Sequence, residues 1–327
     1  MDGHLATRSR TWRDLATVGS MPTLVHEALL YAGLDDFLEG TTAFARDGLA
    51  AGERVMVAVP EPRLRALRHA LDGAAGDVGF LDMGAIGRNP GRIIPAVAQA
   101  LADTPGRRLR WIGEPVWPGR RPCEAVEGER HEALLNVAFG DAPISILCPY
   151  DASRLDAGIL AGAQRTHPTL CVGGHRRDSM LYGDPCDVAT GALHPLAPAP
   201  AEAAERPVDA ELPALRRFVA EHARAAGLDG SRLDDLLLAA NEGAANTLLH
   251  GDAGVVRIWH DASEVLCEVA DRGTIDDPLA GRHLPDTAQL GGRGLWLAHQ
   301  LCDLVELRSG ADGTVLRLHM ALDSGGG

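Results

Sequence analysis

Two α/β domains joined by a stiff linker are encoded in this chain of 327 residues, on three grounds. In the first half, short apolar strands alternate with helical patterns, as in a mainly parallel sheet covered on both faces. Towards the end, helices precede strands of alternating polarity, as in an α/β sandwich with its helices on one side of an antiparallel sheet. Between the two lies the Pro/Ala/Glu stretch 194–207, which reads as a semi-stiff linker that neither holds a helix nor joins a sheet. Domains are therefore expected over 21–192 and 208–322, with 193–207 between them. The length exceeds one ordinary core, and an apolar content of 46% is enough to fill both.

Taken in order, 23–50 reads as helical with a break at Gly33. Strand 55–59 runs into Pro60-Glu61-Pro62 and helix 63–74, and strand 78–83 follows. Asn89-Pro90, an N-cap before a first-turn proline, opens a helix through Ala102. Strand 109–113, helix 124–139, strand 144–148, helix 155–164 and strand 169–172 complete the alternation. In the second domain Leu212, Leu215, Phe218, Val219 and Ala223 form a helical stripe over 212–226. Ser231-x-x-Asp234 resembles a capping box for the next helix. Strands 255–260 and 265–270 pair across the turn 261–263, helix 294–301 follows, and 304–308 with 314–320 close a hairpin around 310–313.

Bulk properties narrow the function. A net charge of −14 argues against a nucleic-acid partner held by phosphate neutralisation. Six cysteines without a C-x-x-C pair argue against a zinc site or a disulfide framework, so buried reduced thiols are expected. The first residues carry no signal-peptide stretch, and no apolar run is long enough to span a bilayer. A cytoplasmic protein is expected, with no membrane association.

Four short motifs follow one another in the second domain: Asn241-Glu242-x-x-x-Asn246, Asp271-Arg272-Gly273, Gly291-Gly292-Arg293-Gly294-Leu295 and Gly313-Thr314. Glu242 and Asn246 are four apart and share one helix face. A carboxylate there can activate a hydroxyl or water, and an amide oxygen suits Mg²⁺. Asp271 ends a strand, where it can accept a hydrogen bond from an exocyclic amine, and Gly273 lets backbone approach a flat base. The glycine run opens a helix whose N-terminal N–H groups suit phosphates, with Arg293 adding charge. Each motif alone also fits an exposed pair, a plain turn or a flexible loop. Their shared order is what points to a nucleotide pocket.

The series resembles the GHKL family of ATP-binding domains, a Bergerat-type α/β sandwich, over about 208–322, and its glycine run is most similar to the anti-sigma serine kinase branch. The resemblance implies ATP and Mg²⁺ as cofactors, Glu242 as catalytic base and Asn246 as magnesium ligand. It also implies Asp271 on the adenine amine with Gly273 beneath the base, Gly292 and Gly294 at the phosphates, and Thr314 supporting adenine. The family's D-x-G-x-G departs here to Asp271-Arg-Gly273-Thr-Ile275, which bears on loop flexibility and turnover. The lid segment 276–290 is short.

The first domain has no Gly-x-x-x-x-Gly-Lys-Ser/Thr after any strand, so ATP hydrolysis is not expected of it. His26-Glu-Ala-Leu-Leu-Tyr31, Gly113-Glu-Pro-Val-Trp-Pro118 and Cys148-Pro-Tyr-Asp151 resemble the MEDS sensory domain, similar to a degenerate RecA/KaiC-like three-layer sheet. Glu114, Trp117, Tyr150 and Asp151 follow strand ends, where open α/β sheets place ligands, and are the candidates for a sensor pocket taking a small molecule. Caps and core packing are the alternative for these four. His26-Glu27 and His131-Glu132 superficially resemble phospho-accepting boxes but lie in the sensory body, away from any dimerising helix. A MEDS-like domain before a GHKL domain resembles the actinobacterial anti-sigma regulators of the RsbA type. That resemblance implies a protein serine/threonine kinase acting on a STAS-type anti-anti-sigma partner, or sequestration of a sigma factor, and a dimer through the ATP body. A non-enzymatic, ATP-dependent binding module is the alternative, with a histidine kinase third.

Overall fold

The computed structural model describes residues 24–250, 253–283 and 293–322. The first domain comprises β1 (Val25–Tyr31), α1 (Gly33–Ala50), β2 (Arg54–Val59), α2 (Arg63–Ala70), β3 (Val78–Asp82), α3 (Met83–Ile86), α4 (Ile93–Ala102), β4 (Leu109–Gly113), α5 (Pro122–Phe139), β5 (Ile144–Asp151), α6 (Ala157–Thr166), β6 (Thr169–Val172), β7 (His175–Asp178) and α7 (Pro185–Ala189). Its sheet runs β3-β2-β4-β5-β1-β6-β7, and only β7 pairs antiparallel.

Strand alternation supplies two cores. Leu29, Tyr31, Val55, Val57, Val59, Ile112 and Leu147 face α1 and α2. Their neighbours Ala28, Ala58, Trp111, Ile146, Cys148 and Tyr150 face α4, α5 and α6. The expected three layers are present. Asn89 caps as expected, its Oδ1 accepting the Gly91 N–H at 3.0 Å ahead of α4.

One assignment is corrected. The stretch 23–50 is not helical throughout, because 25–31 forms β1 before α1 begins. This strand lies between β5 and β6 and is buried on both faces, so its Glu/Ala/Leu sequence lacks a strand's period while tertiary pairing overrides its helical propensity. Only Ala32 separates β1 from α1.

The second domain comprises β8 (Ala204–Val208), α8 (Leu212–Ala225), α9 (Gly230–His250), β9 (Gly254–His260), β10 (Glu264–Asp271), α10 (Gly294–Leu301), β11 (Leu304–Gly310) and β12 (Gly313–Ala321). Its antiparallel sheet runs β11-β12-β10-β9-β8. Leu215 and Val219 of α8, with Leu233, Leu236, Ala240 and Ala244 of α9, pack on Val256, Ile258, Val269, Leu316 and Leu318. The linker reading is corrected at its end, because 204–207 belongs to β8. Pro207 is tolerated there because β8 is an edge strand, where a missing N–H costs no ladder bond on the open side. Helix α9 also opens earlier than Ser231, with Leu233 N–H on the Asp229 carbonyl at 3.1 Å.

The sheet face away from these helices carries Glu264, Glu268, Glu306, Arg317 and His319, all buried. Charges are tolerated there because each is paired. Arg317 binds Glu268 at 2.7 Å and the linker carbonyl of Ala197 at 2.6 Å, and Arg121 of the first domain binds Glu264 at 2.5 Å.

Candidate functional site: a nucleotide cavity at the end of α9

Helix α9 buries its apolar stripe on the sheet, which leaves Glu242 and Asn246 half-buried beside it. The N-terminus of α10 meets them. A methyl group on Gly294 would lie 2.8 Å from Glu242 Oε2 and 3.5 Å from Asn246 Nδ2, so a larger residue there would have to displace the Glu242 side chain.

Asp271, the last residue of β10, is held on both oxygens. Oδ1 accepts the Gly273 N–H at 2.8 Å and Oδ2 accepts the Thr247 hydroxyl at 2.7 Å. Each oxygen keeps a lone pair free for a further donor. From Ile275 a chain of hydrogen bonds ties the following loop to the closing hairpin. The Ile275 N–H reaches Ser309 Oγ at 2.7 Å, the Ser309 and Thr314 hydroxyls are 2.8 Å apart, and Thr314 donates to the Gly273 carbonyl at 2.8 Å. Gly313 has φ +110, and a side chain there would strike the Asp271 carbonyl oxygen at 2.1 Å.

These groups enclose a cavity of about 510 Å³, a usual size for a small-molecule site. Asn246, Asp271, Gly273, Gly294 and Thr314 line it, with Val269, Leu295, Leu307 and Leu316 as apolar walls. An apolar slot with an acceptor at its end and a glycine-opened helix at its mouth fits a purine nucleotide. Glu242 does not line the cavity and sits at its margin, behind Gly294. Arg293 precedes α10 and is exposed, and it too is outside the lining. Gly292 lies outside the described residues. Thr247 and Ser309, which no motif singled out, do as much to position the loop as the motif residues. Thr247 was signalled only by standing next to Asn246 on the same helix.

The four sensor candidates do not share one pocket. Tyr150 and Asp151 are adjacent on β5 and so point to opposite faces. Glu114 is buried, accepts the Tyr31 hydroxyl at 3.0 Å and pairs with Arg63 at 2.9 Å. Asp151 lies 4.0 Å from the same guanidinium. Burial pushes the Glu114 carboxyl up to about 8 despite Arg63 and Tyr31. Tyr150 donates instead to Glu132 on the other face, at 3.1 Å, and Trp117 is covered by Arg120, 4.1 Å from its ring centre. His26 and His131 are only 3% and 2% exposed, so neither ring is presented for phosphorylation. Of the six cysteines, Cys148, Cys171, Cys267 and Cys302 are buried thiols, Cys123 is half-buried, and Cys186 is exposed, against expectation.

The two domains meet at α10 and α5. Asn89 and Arg92 donate to the His299 and Cys302 carbonyls at the C-terminal end of α10, the shortest contact being 2.7 Å. Glu127 of α5 binds Arg130, Arg282 and Arg308 at 2.8, 3.3 and 2.7 Å. Among the described residues no helix is long and apolar enough to cross a membrane.

Comparison with known proteins gives two separate matches. Residues 25–168 match the family described as the MEthanogen/methylotroph, DcmR Sensory domain, MEDS, and residues 206–320 match the histidine kinase-like ATPase domain. No curated protein matches. Similar solved structures include the RsbU and RsbW domains of a Mycobacterium tuberculosis protein, 21% identical over 62% of this chain with a TM-score of 0.28. This chain spans about half of that one, 49%. The ATPase domain of G40P is 9% identical over 47% of this chain and 70% of its own, with a TM-score of 0.32. The chain is thus a MEDS sensory domain followed by a histidine kinase-like, ATP-binding ATPase domain.

Proposed function

We propose that the protein is an anti-sigma-type regulator that binds ATP with Mg²⁺ in the second domain and phosphorylates a serine or threonine of a STAS-type anti-anti-sigma partner, or sequesters a sigma factor. The observation that carries this reading is the convergence of Asn246, Asp271, Gly273, Gly294 and Thr314 on one cavity, with Glu242 at its rim. The residues fit the nucleotide, since Gly294 at the start of α10 lines the mouth of the cavity with a helix N-terminus and Asp271 keeps acceptor capacity toward the slot. Asn246 would hold the magnesium ion and Asp271 the adenine amine. ATP would supply the phosphoryl group. Glu242 would hold the proton of the accepting hydroxyl, a role worth roughly 10²–10⁴ in rate. Glu114 and Asp151, joined by Arg63, are the proposed sensing groups, and a cytoplasmic setting with a dimer through the second domain completes the proposal.

A second reading, a nucleotide-dependent binding module without transfer, is favoured by the Ile275 N–H bond to Ser309, which tethers the loop where the family's second glycine is missing. The deciding experiment follows phosphate incorporation into a panel of STAS-type proteins, beside calorimetry of ATP with and without magnesium. Transfer abolished by Glu242→Gln, with ATP binding retained, supports the kinase. Tight binding without transfer to any partner supports the binding module. No ATP binding, or binding unchanged in Asn246→Ala, overturns the assignment of the site.

A further inference from the structure

Away from the nucleotide cavity, four polar side chains in the first domain turn toward one point within an apolar layer. His26 on β1, Glu132 on α5, Cys148 on β5 and His167 just after α6 are all buried, and one ligand-capable atom from each lies within 4.8 Å of the others. Glu132 Oε2 is 3.1 Å from His26 Nε2, 3.5 Å from His167 Nε2 and 3.2 Å from Cys148 Sγ, and Cys148 Sγ is 3.5 Å from His26 Nε2.

The outer contacts decide the tautomers. Nδ1 of His167 faces the Ala163 carbonyl at 2.7 Å, which can only accept, so that nitrogen carries the proton. Nδ1 of His26 faces Asn136 Oδ1 at 3.1 Å. The Asn136 amide nitrogen is committed to the Glu132 and Thr166 carbonyls, so His26 also donates from Nδ1. With a proton on each Nδ1 and none on Nε2, both rings would aim Nε2 lone pairs at a carboxylate oxygen, and the thiol proton cannot satisfy all three. His167 Nε2 is buried without a hydrogen-bond partner. A cation at the centre removes the conflict. Imidazoles whose far nitrogens are held by a carbonyl and an amide are oriented as metal ligands are. Tyr150 plays the same part for Glu132, donating to its other oxygen at 3.1 Å.

We propose that His26, Glu132, Cys148 and His167 bind one divalent transition-metal ion, zinc by preference. Tetrahedral zinc with bonds of about 2.0–2.3 Å sets its ligand atoms roughly 3.3–3.7 Å apart, close to the spacings found. Two imidazoles, a sulfur and a carboxylate suit zinc, whereas Mg²⁺ and Ca²⁺ take oxygen ligands. Binding releases the Cys148 thiol proton to solvent, and thiolate plus carboxylate then neutralise the ion, which a buried site requires. Four protein ligands close the coordination shell, so the ion holds β1, β5, α5 and the end of α6 together and does no hydrolysis. Spacing along the chain could not reveal this site, because each ligand comes from a different element.

The test uses the full chain produced in zinc-supplemented medium and freed of loose metal by gel filtration. Elemental analysis is expected to give about one zinc per chain. Exchange for cobalt(II) is expected to give a thiolate-to-cobalt charge-transfer band that disappears in Cys148→Ser and persists in Cys186→Ser. His167→Ala removes a ligand and is expected to weaken zinc binding by more than the roughly 10–100-fold that loss of an outer partner of a ligand costs. Substoichiometric zinc in the wild type, or a cobalt band that survives Cys148→Ser, overturns the site. If the variants do not fold, chelation of the wild type decides. A fall in melting temperature that zinc restores and magnesium does not is expected, and an unchanged melting temperature overturns it.

Discussion

Arg308 on strand β11 of the ATPase domain reaches Glu127 on helix α5 of the sensory domain at 2.7 Å, inside the protein. One carboxylate there serves three guanidiniums, since Arg130 and Arg282 also bind it. Arg282 lies between Gly281 and His283, both of which line the nucleotide cavity. The first domain thus touches the segment that walls the cavity through this charge cluster.

Glu127→Gln leaves two buried cations, Arg130 and Arg282, and the half-buried Arg308 without their anion and is expected to cost about 3–5 kcal/mol, read from urea unfolding. Burial alone would raise the Glu127 carboxyl, but Arg130, Arg308 and Arg282 outweigh it and hold it down to about 2. A depressed carboxylate stabilises the fold above its ordinary value. That contribution is lost as pH falls from about 4.5 toward about 2, and the variant is expected to lack this part of the acid transition.

His319 gives the opposite sign. Burial pulls its imidazole down, but Glu264 and Glu306, at 3.2 and 2.9 Å, raise it above its ordinary value. Stability from this group is complete below pH about 6.5 and is lost as pH rises through the raised value. Urea midpoints between pH 6 and 9 are expected to fall in the wild type and to flatten in His319→Gln.

Asn89 and Arg92 cap the far end of α10, whose near end opens the nucleotide cavity. Arg92→Ala removes hydrogen bonds from a cationic donor and is expected to cost about 1–3 kcal/mol. Hydrogen exchange of the α10 amides is expected to quicken, and ATP affinity to fall although no residue of the cavity has changed.

Thr247→Val removes the hydroxyl that donates to Asp271 Oδ2 while keeping the shape of the side chain. The loss is expected to be about 1 kcal/mol, or roughly fivefold in ATP affinity by calorimetry. Gly294→Ala is expected to weaken ATP binding with the melting temperature little changed, since the new methyl group displaces Glu242 at the margin of the cavity and not in the core.

Periodicity and punctuation sufficed for most elements because local patterns carry them. β6 and α10 stand at their expected residues, and the alternation of β2 with its neighbours separates the two cores. The motif order brought Asn246, Asp271, Gly294 and Thr314 to one cavity because each sits at an element end that the sheet topology draws together. β1 was hidden because, besides lacking alternation, its apolar run is interrupted by His26 and Glu27, whereas β5 shows an unbroken apolar stretch from Ile146 to Cys148. β8 was hidden because an edge strand needs little propensity once a partner such as β9 is there.

The sequence by itself determined the α/β class of both halves and the nucleotide motifs, all of which depend on neighbours along the chain. Only the tertiary structure decided that Glu127 would bind arginines from both domains, that Asn89 and Arg92 would cap α10, and that His26, Glu132, Cys148 and His167 would meet. Those groups are far apart along the chain, and side-chain direction on separate elements, which no local pattern records, is what brings them together.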